Sequence, residues 1–300
     1  MNPSIVLSFV AAVAVTACAA SFDPGSRVTS LRVLAVHADQ PFAHPGEEVH
    51  LDTLSFDPAG RAITWGWATC VNPEEATVAG CFAKSGGLAI GSASTFSLTV
   101  PVDALDALPA EARDHALVGV VAVACPATLS PGAVTFGADT YPFRCVDANG
   151  RELGLDEMEV GLRRITVRAT DRNANPGIAS VTWDGADWAE GDVKDVGACD
   201  TTGNSFDSCD AALAHAIDVT LTAGSIESGT DESGVPFTEQ VVVQYFATEG
   251  IFEHDVRTAA MPDTRWVARS SASGETLTMW ILARDDRGGV TWATRQVKVR

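Results

Sequence analysis

Apolar positions along this chain come in short bursts rather than long stripes. The segments 27–36 (RVTSLRVLAV), 47–54, 61–70 (RAITWGWATC), 94–100, 115–125 (HALVGVVAVAC) and 160–170 (VGLRRITVRAT) are rich in Val, Ile, Thr, Leu and Trp. Punctuation such as HPGEE (44–48) and DPAG (57–60) separates them, which predicts strands joined by turns. In LRVLAV and RRITVRAT apolar and polar residues tend to alternate, the period of a strand with one wet face. The segment 102–114, VDALDALPAEARD, reads as a short helix that Pro109 either breaks or restarts as a turn.

A second set of bursts follows at 178–185, 216–223, 239–248, 275–286 and 290–300. The last two flank Arg287-Gly288-Gly289, which reads as a hairpin loop. Between the sets, TDRNANP (170–176) has the composition of a hinge. ITW at 63–65 and VTW at 181–183 and 290–292 repeat one solution, a β-branched pair before a Trp that can fill a sandwich core. With long amphipathic helices absent, the pattern predicts an all-β chain of two tandem antiparallel β-sandwich domains, over 28–170 and 171–300.

The first residues follow a different rule. Residues 5–17 form an uncharged apolar run of thirteen, short for a transmembrane helix and suited to a signal-peptide core. The run closes on Val15-Thr16-Ala17-Cys18, which resembles the lipobox of bacterial lipoproteins. That resemblance implies a signal peptide over 1–17, cleavage before Cys18 and a lipid on its thiol. The chain would then be held to a membrane by that lipid, with 18–27 as a tether. Ala19 after the anchor implies outer-membrane sorting. An ordinary secretory signal that discards Cys18 or leaves it free is the alternative, and it too exports the chain.

Setting Cys18 aside leaves six cysteines, at 70, 81, 125, 145, 199 and 209. An even set in an exported chain reads as disulfides. The sequence leaves the pairing open, and spacing favours local bridges: Cys70 with Cys81, Cys125 with Cys145, Cys199 with Cys209. Zinc lacks its C-x-x-C knuckle and a finger-spaced His.

Charge removes one class of partner. Acidic residues number 39 against 20 basic, a formal net charge of −19, which opposes binding to nucleic acid. The segment from Asp184 to Glu232 holds twelve carboxylates against the single Lys194, without EF-hand spacing.

The stretches SLRVLAVHADQPFAHPGEEVHLDTLSFDPAGRAITWGWATC and TMWILARDDRGGVTWATRQVKV are similar to the beginning and end of Ig-like modules of the polycystic-kidney-disease and cadherin-like kind. Together with the lipobox they resemble envelope lipoproteins of the myxobacterial type. The resemblance implies two tandem Ig-like sandwiches on the bacterial cell envelope and a non-catalytic role in adhesion, recognition or scaffolding. The partner would be an envelope protein or polysaccharide.

Particular residues carry the candidate chemistry. Asp171, Asn173 and Asn175 precede Pro176 in a pattern similar to the calcium-binding linker of cadherins, with Ala174 where that linker has a second Asp. The plainer reading is a turn-forming linker. A calcium-stiffened adhesin is therefore one alternative function. No G-x-S-x-G, H-E-x-x-H or Gly-rich phosphate loop is present, so no catalytic residue is assigned and a non-enzyme is expected. A carbohydrate-active hydrolase using a carboxylate pair is the other alternative. Trp188 and Trp266 stand among polar residues and are candidates for ligand contact, or for loop side chains folded over the core edge.

Overall fold

The computed structural model describes residues 24–136, 139–201 and 203–300; Cys18 and the expected signal peptide lie outside them. The bursts fold as strands. In the first half, sheet I contains Arg32–Ala38, Glu48–Phe56 and Thr95–Thr99, all antiparallel. Sheet II runs in the order Phe42–Ala43, Glu159–Val167, Ala116–Cys125, Thr64–Val71, Ala89–Gly91.

A core that includes Val49, Leu51, Trp65, Trp67, Val120 and Ile165 lies between these two sheets. The Ala116–Cys125 strand is apolar without alternation because sheet II is covered on both faces. On its far side Val121 and Val123 pack with Leu129, Tyr141 and Phe143. Those residues come from the hairpin of Thr128–Phe136 and Asp139–Val146.

The second half repeats the arrangement. Sheet III runs Val193–Val196, Val290–Val299, Thr276–Asp285, Val241–Ala247, Val256–Thr258. Sheet IV runs Ala186–Asp187, Ile178–Trp183, His215–Leu221, Thr264–Arg269, Ala198–Cys199, with Ile251–Phe252 also on Thr264–Arg269. The core between them includes Trp183, Trp188, Tyr245, Trp266, Met279 and Ile281.

A further apolar cluster joins the halves. Leu34, Ala35 and Leu54 of sheet I pack on Trp280, Leu282 and Val290 of sheet III, with Trp292 at the rim. The three β-branched–Trp motifs thus divide their work: Trp65 and Trp183 fill sandwich cores, and Trp292 serves the seam. The start of the described chain is fastened to the second half. Val28 donates to the Ala247 carbonyl (2.9 Å), and Ala247 donates to that of Ser26 (2.9 Å).

One expectation about local structure resolves, and one element is new. Residues 102–114 form turns and one 3-10 turn at Ala110–Ala112, because Pro109 blocks a continuous helix. The one α-helix among the described residues is Val78–Lys84, capped by Thr77, whose hydroxyl accepts from the Gly80 amide at 3.0 Å. Seven residues do not sustain a helix alone. Burial of Cys81 and Phe82 and the bridge to Cys70 hold it.

The three bridges are the local ones: Cys70–Cys81, Cys125–Cys145 and Cys199–Cys209. The first two tie the helix and the Asp139–Val146 strand to the outer face of sheet II, in one cluster.

Candidate functional site

The segment expected as a hinge is clamped to both halves. Arg172 forks onto Glu47, with both guanidinium nitrogens at 2.6 Å, and also reaches Gln40 (2.6 Å). Asn175 donates to the Ala38 carbonyl (2.9 Å) and accepts from the Val290 amide (2.9 Å). Glu232 accepts from the Thr170 amide and hydroxyl, both at 3.0 Å. Long-range partners fix this linker, and its own composition cannot reveal them.

The Arg172 hydrogen bonds hold the Glu47 carboxyl down at about 2, against an ordinary 4.5. Since the folded value is depressed, this stabilisation is complete above pH 4.5 and is lost as pH falls toward 2. Glu47→Gln removes the group that titrates. Melting temperature followed against pH is expected to fall less steeply for the variant than for the parent in that window. Parallel curves would show that the clamp contributes nothing.

The three residues considered for calcium make contacts within the protein, except that the Asn173 Oδ1 is buried without a partner. Asp171 accepts from Arg287 (3.1 Å), the Asn173 amide faces the Asp285 carboxylate at 3.4 and 3.5 Å, and both ends of Asn175 are bonded. Among the described residues no three His, Cys, Asp or Glu side chains converge as a metal set.

Trp188 and Trp266 offer no stacking surface, contrary to their reading as ligand contacts: both are 0% exposed. Trp188 meets Trp183 edge-on at 4.6 Å and donates its indole N–H to the Asp192 carbonyl (3.1 Å). Trp266 belongs to a strand whose TRWVAR pattern is largely buried. The Trp–Val pair inside TRWVAR was the signal for a strand, obscured by the flanking arginines.

What the seam does offer is a cleft of about 580 Å3 beside the Glu159–Val167 strand, facing the hairpin turn at Arg287-Gly288. Arg287 spans it. Its guanidinium lies between the rings of Phe42 and Phe237, 4.6 and 3.9 Å from their centroids, the geometry of a cation on aromatic faces. It also pairs with Asp171 (3.1 Å) and Glu239 (3.4 Å). Burial pushes the Glu239 carboxyl up, against the pull of Arg287.

Arg163, Arg164 and Arg168 line the other side. Arg164 donates to the Ala76 carbonyl. Arg168 donates to the Asp114 carbonyl at 3.0 Å and stands 3.7 Å from Glu232. Arg163 differs. Its Nε and Nη2 atoms are sealed from solvent with no hydrogen-bond partner, and burial pushes its guanidinium down to about 10.

The strand period explains this. Arg163 lies on the same face as Ile165 and Val167, which are both core residues, and its head ends at the seam near Gly288. The RRITVRAT segment keeps its wet face in Arg164, Thr166 and Arg168, and Arg163 is the polar residue on its apolar face. Nothing local in the sequence marks Arg163, because its surroundings come from the Arg287-Gly288 turn more than a hundred residues away.

The class this architecture defines is the all-β sandwich protein, with sheets packed in sequence and fastened by disulfides. No protein-family model and no curated protein matches the chain. Among solved structures it is similar to the D0-D1 domain of Intimin, at 11% identity over 89% of this chain and 98% of that one, with a TM-score of 0.22.

Proposed function

We propose that this chain is an exported envelope lipoprotein, anchored at Cys18, that acts by recognition, adhesion or scaffolding rather than by catalysis. The observation that carries the reading is the three cysteine pairs, all within bonding geometry and joining sequence neighbours. Such a set persists in an oxidising compartment, which agrees with export through the signal-like run. The lipobox-like VTAC supplies the anchor. Sequential sandwiches at 28–170 and 171–300, of the Ig-like kind found on envelopes, are the matching domain division.

A hydrolase would place two carboxylates on one open cleft, one of them protonated for general-acid work. At the seam the carboxyl pushed up is Glu239, which is 5% exposed and has its oxygens turned to the Glu227 amide and Arg287. That geometry favours structure over proton transfer.

Intact mass of the protein extracted from its native membranes tests the proposal. The expected product begins at Cys18, carries a lipid's extra mass, and gains about six daltons on reduction of three bridges. An unlipidated chain ends the anchoring claim. Free thiols at the six positions would end the export claim.

A further inference from the structure

We propose that the seam cleft is a binding site for a small oxyanion, a carboxylate, sulfate or phosphate group, received by the guanidinium of Arg163. Three observations meet there. The first is an unpaired cation on the cleft wall: Arg163 lines the cleft, and its Nε and Nη2 have no hydrogen-bond partner. Buried charges in proteins are ordinarily paired, because an uncompensated one carries a heavy desolvation cost.

The second is that, among the described residues, no carboxylate stands within ion-pair or hydrogen-bond distance of Arg163. Asp285 acts on Arg163 through space, but its Oδ1 takes the Arg287 and Gly289 amides at 2.8 and 2.7 Å, and its Oδ2 faces the Asn173 amide at 3.4 Å. The acids on the cleft wall are committed as well. Asp171 pairs with Arg287, Asp231 accepts from the Ser233 and Val235 amides, and Asp286 accepts from the Gln240 amide.

The third is concentration of charge. A chain with a net charge of −19 sets four arginines against three aspartates on this one cleft, a local excess of positive charge, with His115 beside them. Arg is the side chain suited to oxyanions, since its planar donors match their lone pairs. A cleft of about 580 Å3, walled partly by Leu117 and Leu162, has the size of a small-molecule site. The head of Arg163 also reaches across the seam: a Cβ at Gly288 would stand 3.8 Å from its Nη2. Ligand binding would therefore bear on both halves together. The site does not depend on where the chain is anchored, so its failure leaves the envelope reading untouched.

The test is a melting series on the whole protein in inorganic phosphate, sulfate or acetate, each against chloride at equal ionic strength. The expected result is a saturable rise of several degrees in at least one oxyanion, as for any ligand bound to the native state alone. Comparison of the three identifies the preferred headgroup. Arg163→Met is expected to abolish that rise, and in chloride to melt at or above the parent because it removes the unpaired charge. Arg163→Lys, which keeps a charge, is expected to weaken half-saturation about tenfold and covers the case in which the Met variant does not fold. The control Arg300→Gln, at the exposed Asp195 pair, keeps the full rise. A parent protein that responds to oxyanions as it does to chloride overturns the site. So does an Arg163→Met or Arg163→Lys protein that keeps the rise intact.

Discussion

Full reduction of the three bridges is expected to unfold most of the protein near room temperature. Each bridge closes a short loop, with partners 11, 20 and 10 residues apart. Loops of that size are worth about 3 kcal/mol each in the chain-entropy model, so the three together approach about 9 kcal/mol. Native domains have stabilities of about 5–15 kcal/mol, so that loss is comparable to the whole.

Order should follow access. Cys70, Cys81, Cys125 and Cys145 are buried in one cluster, whereas Cys209 is partly exposed. Graded reductant, with alkylation and peptide mapping, should label Cys199 and Cys209 first while the fold persists. The remaining four should then appear together as circular dichroism is lost. Early labelling of the four buried cysteines in folded protein would contradict the packing described here.

The second large effect concerns one methyl group. Gly250 has φ +99°, and a Cβ there would lie 2.3 Å from Nε1 of Trp266 and 2.4 Å from its Cε2 and Cζ2. The indole cannot retreat, because Trp266 is fully buried among Trp183, Phe252 and Ile217. Gly250→Ala therefore combines overpacking, about 1–3 kcal/mol, with left-handed backbone strain of about 1–2 kcal/mol. For a unit of this size the melting temperature should drop by on the order of 10 °C. Trimming the ring in the double variant Gly250→Ala/Trp266→Leu should give a loss smaller than the sum of the two single losses, since neighbours couple. A single variant melting within about 2 °C of the parent would show that glycine is not required here.

Which features could be read in the chain follows from the range of the interactions that make them. Strands such as Val241–Ala247 and Thr276–Asp285 announce themselves through β-branched and aromatic runs, because each residue's preference is local. The disulfides were legible for the same reason, with partners close in sequence. The hairpin of Thr128–Phe136 and Asp139–Val146 escaped because Pro131, Gly132 and Pro142 read as loop. A two-stranded ribbon with open edges tolerates proline, as a central strand does not.

The site was less legible still. Arg172 meets Glu47, Arg287 meets Asp171, and Arg163 approaches Gly288, all across more than a hundred residues. No local pattern encodes such meetings. Trp266 was the reverse case: polar neighbours suggested exposure, and cross-strand packing from the rest of sheet IV buried it.

The fastening of Ser26–Val28 to Ala247 has a mechanical consequence. Tension arriving at Ser26 is met, among the described residues, by the two backbone bonds at Ala247 on sheet III and by the Arg27–Glu249 pair beside them. The Arg32–Ala38 strand, which comes next in sequence, is shielded until those bonds part. A load that arrives at the front of the chain is thus borne by the sandwich made from its far end.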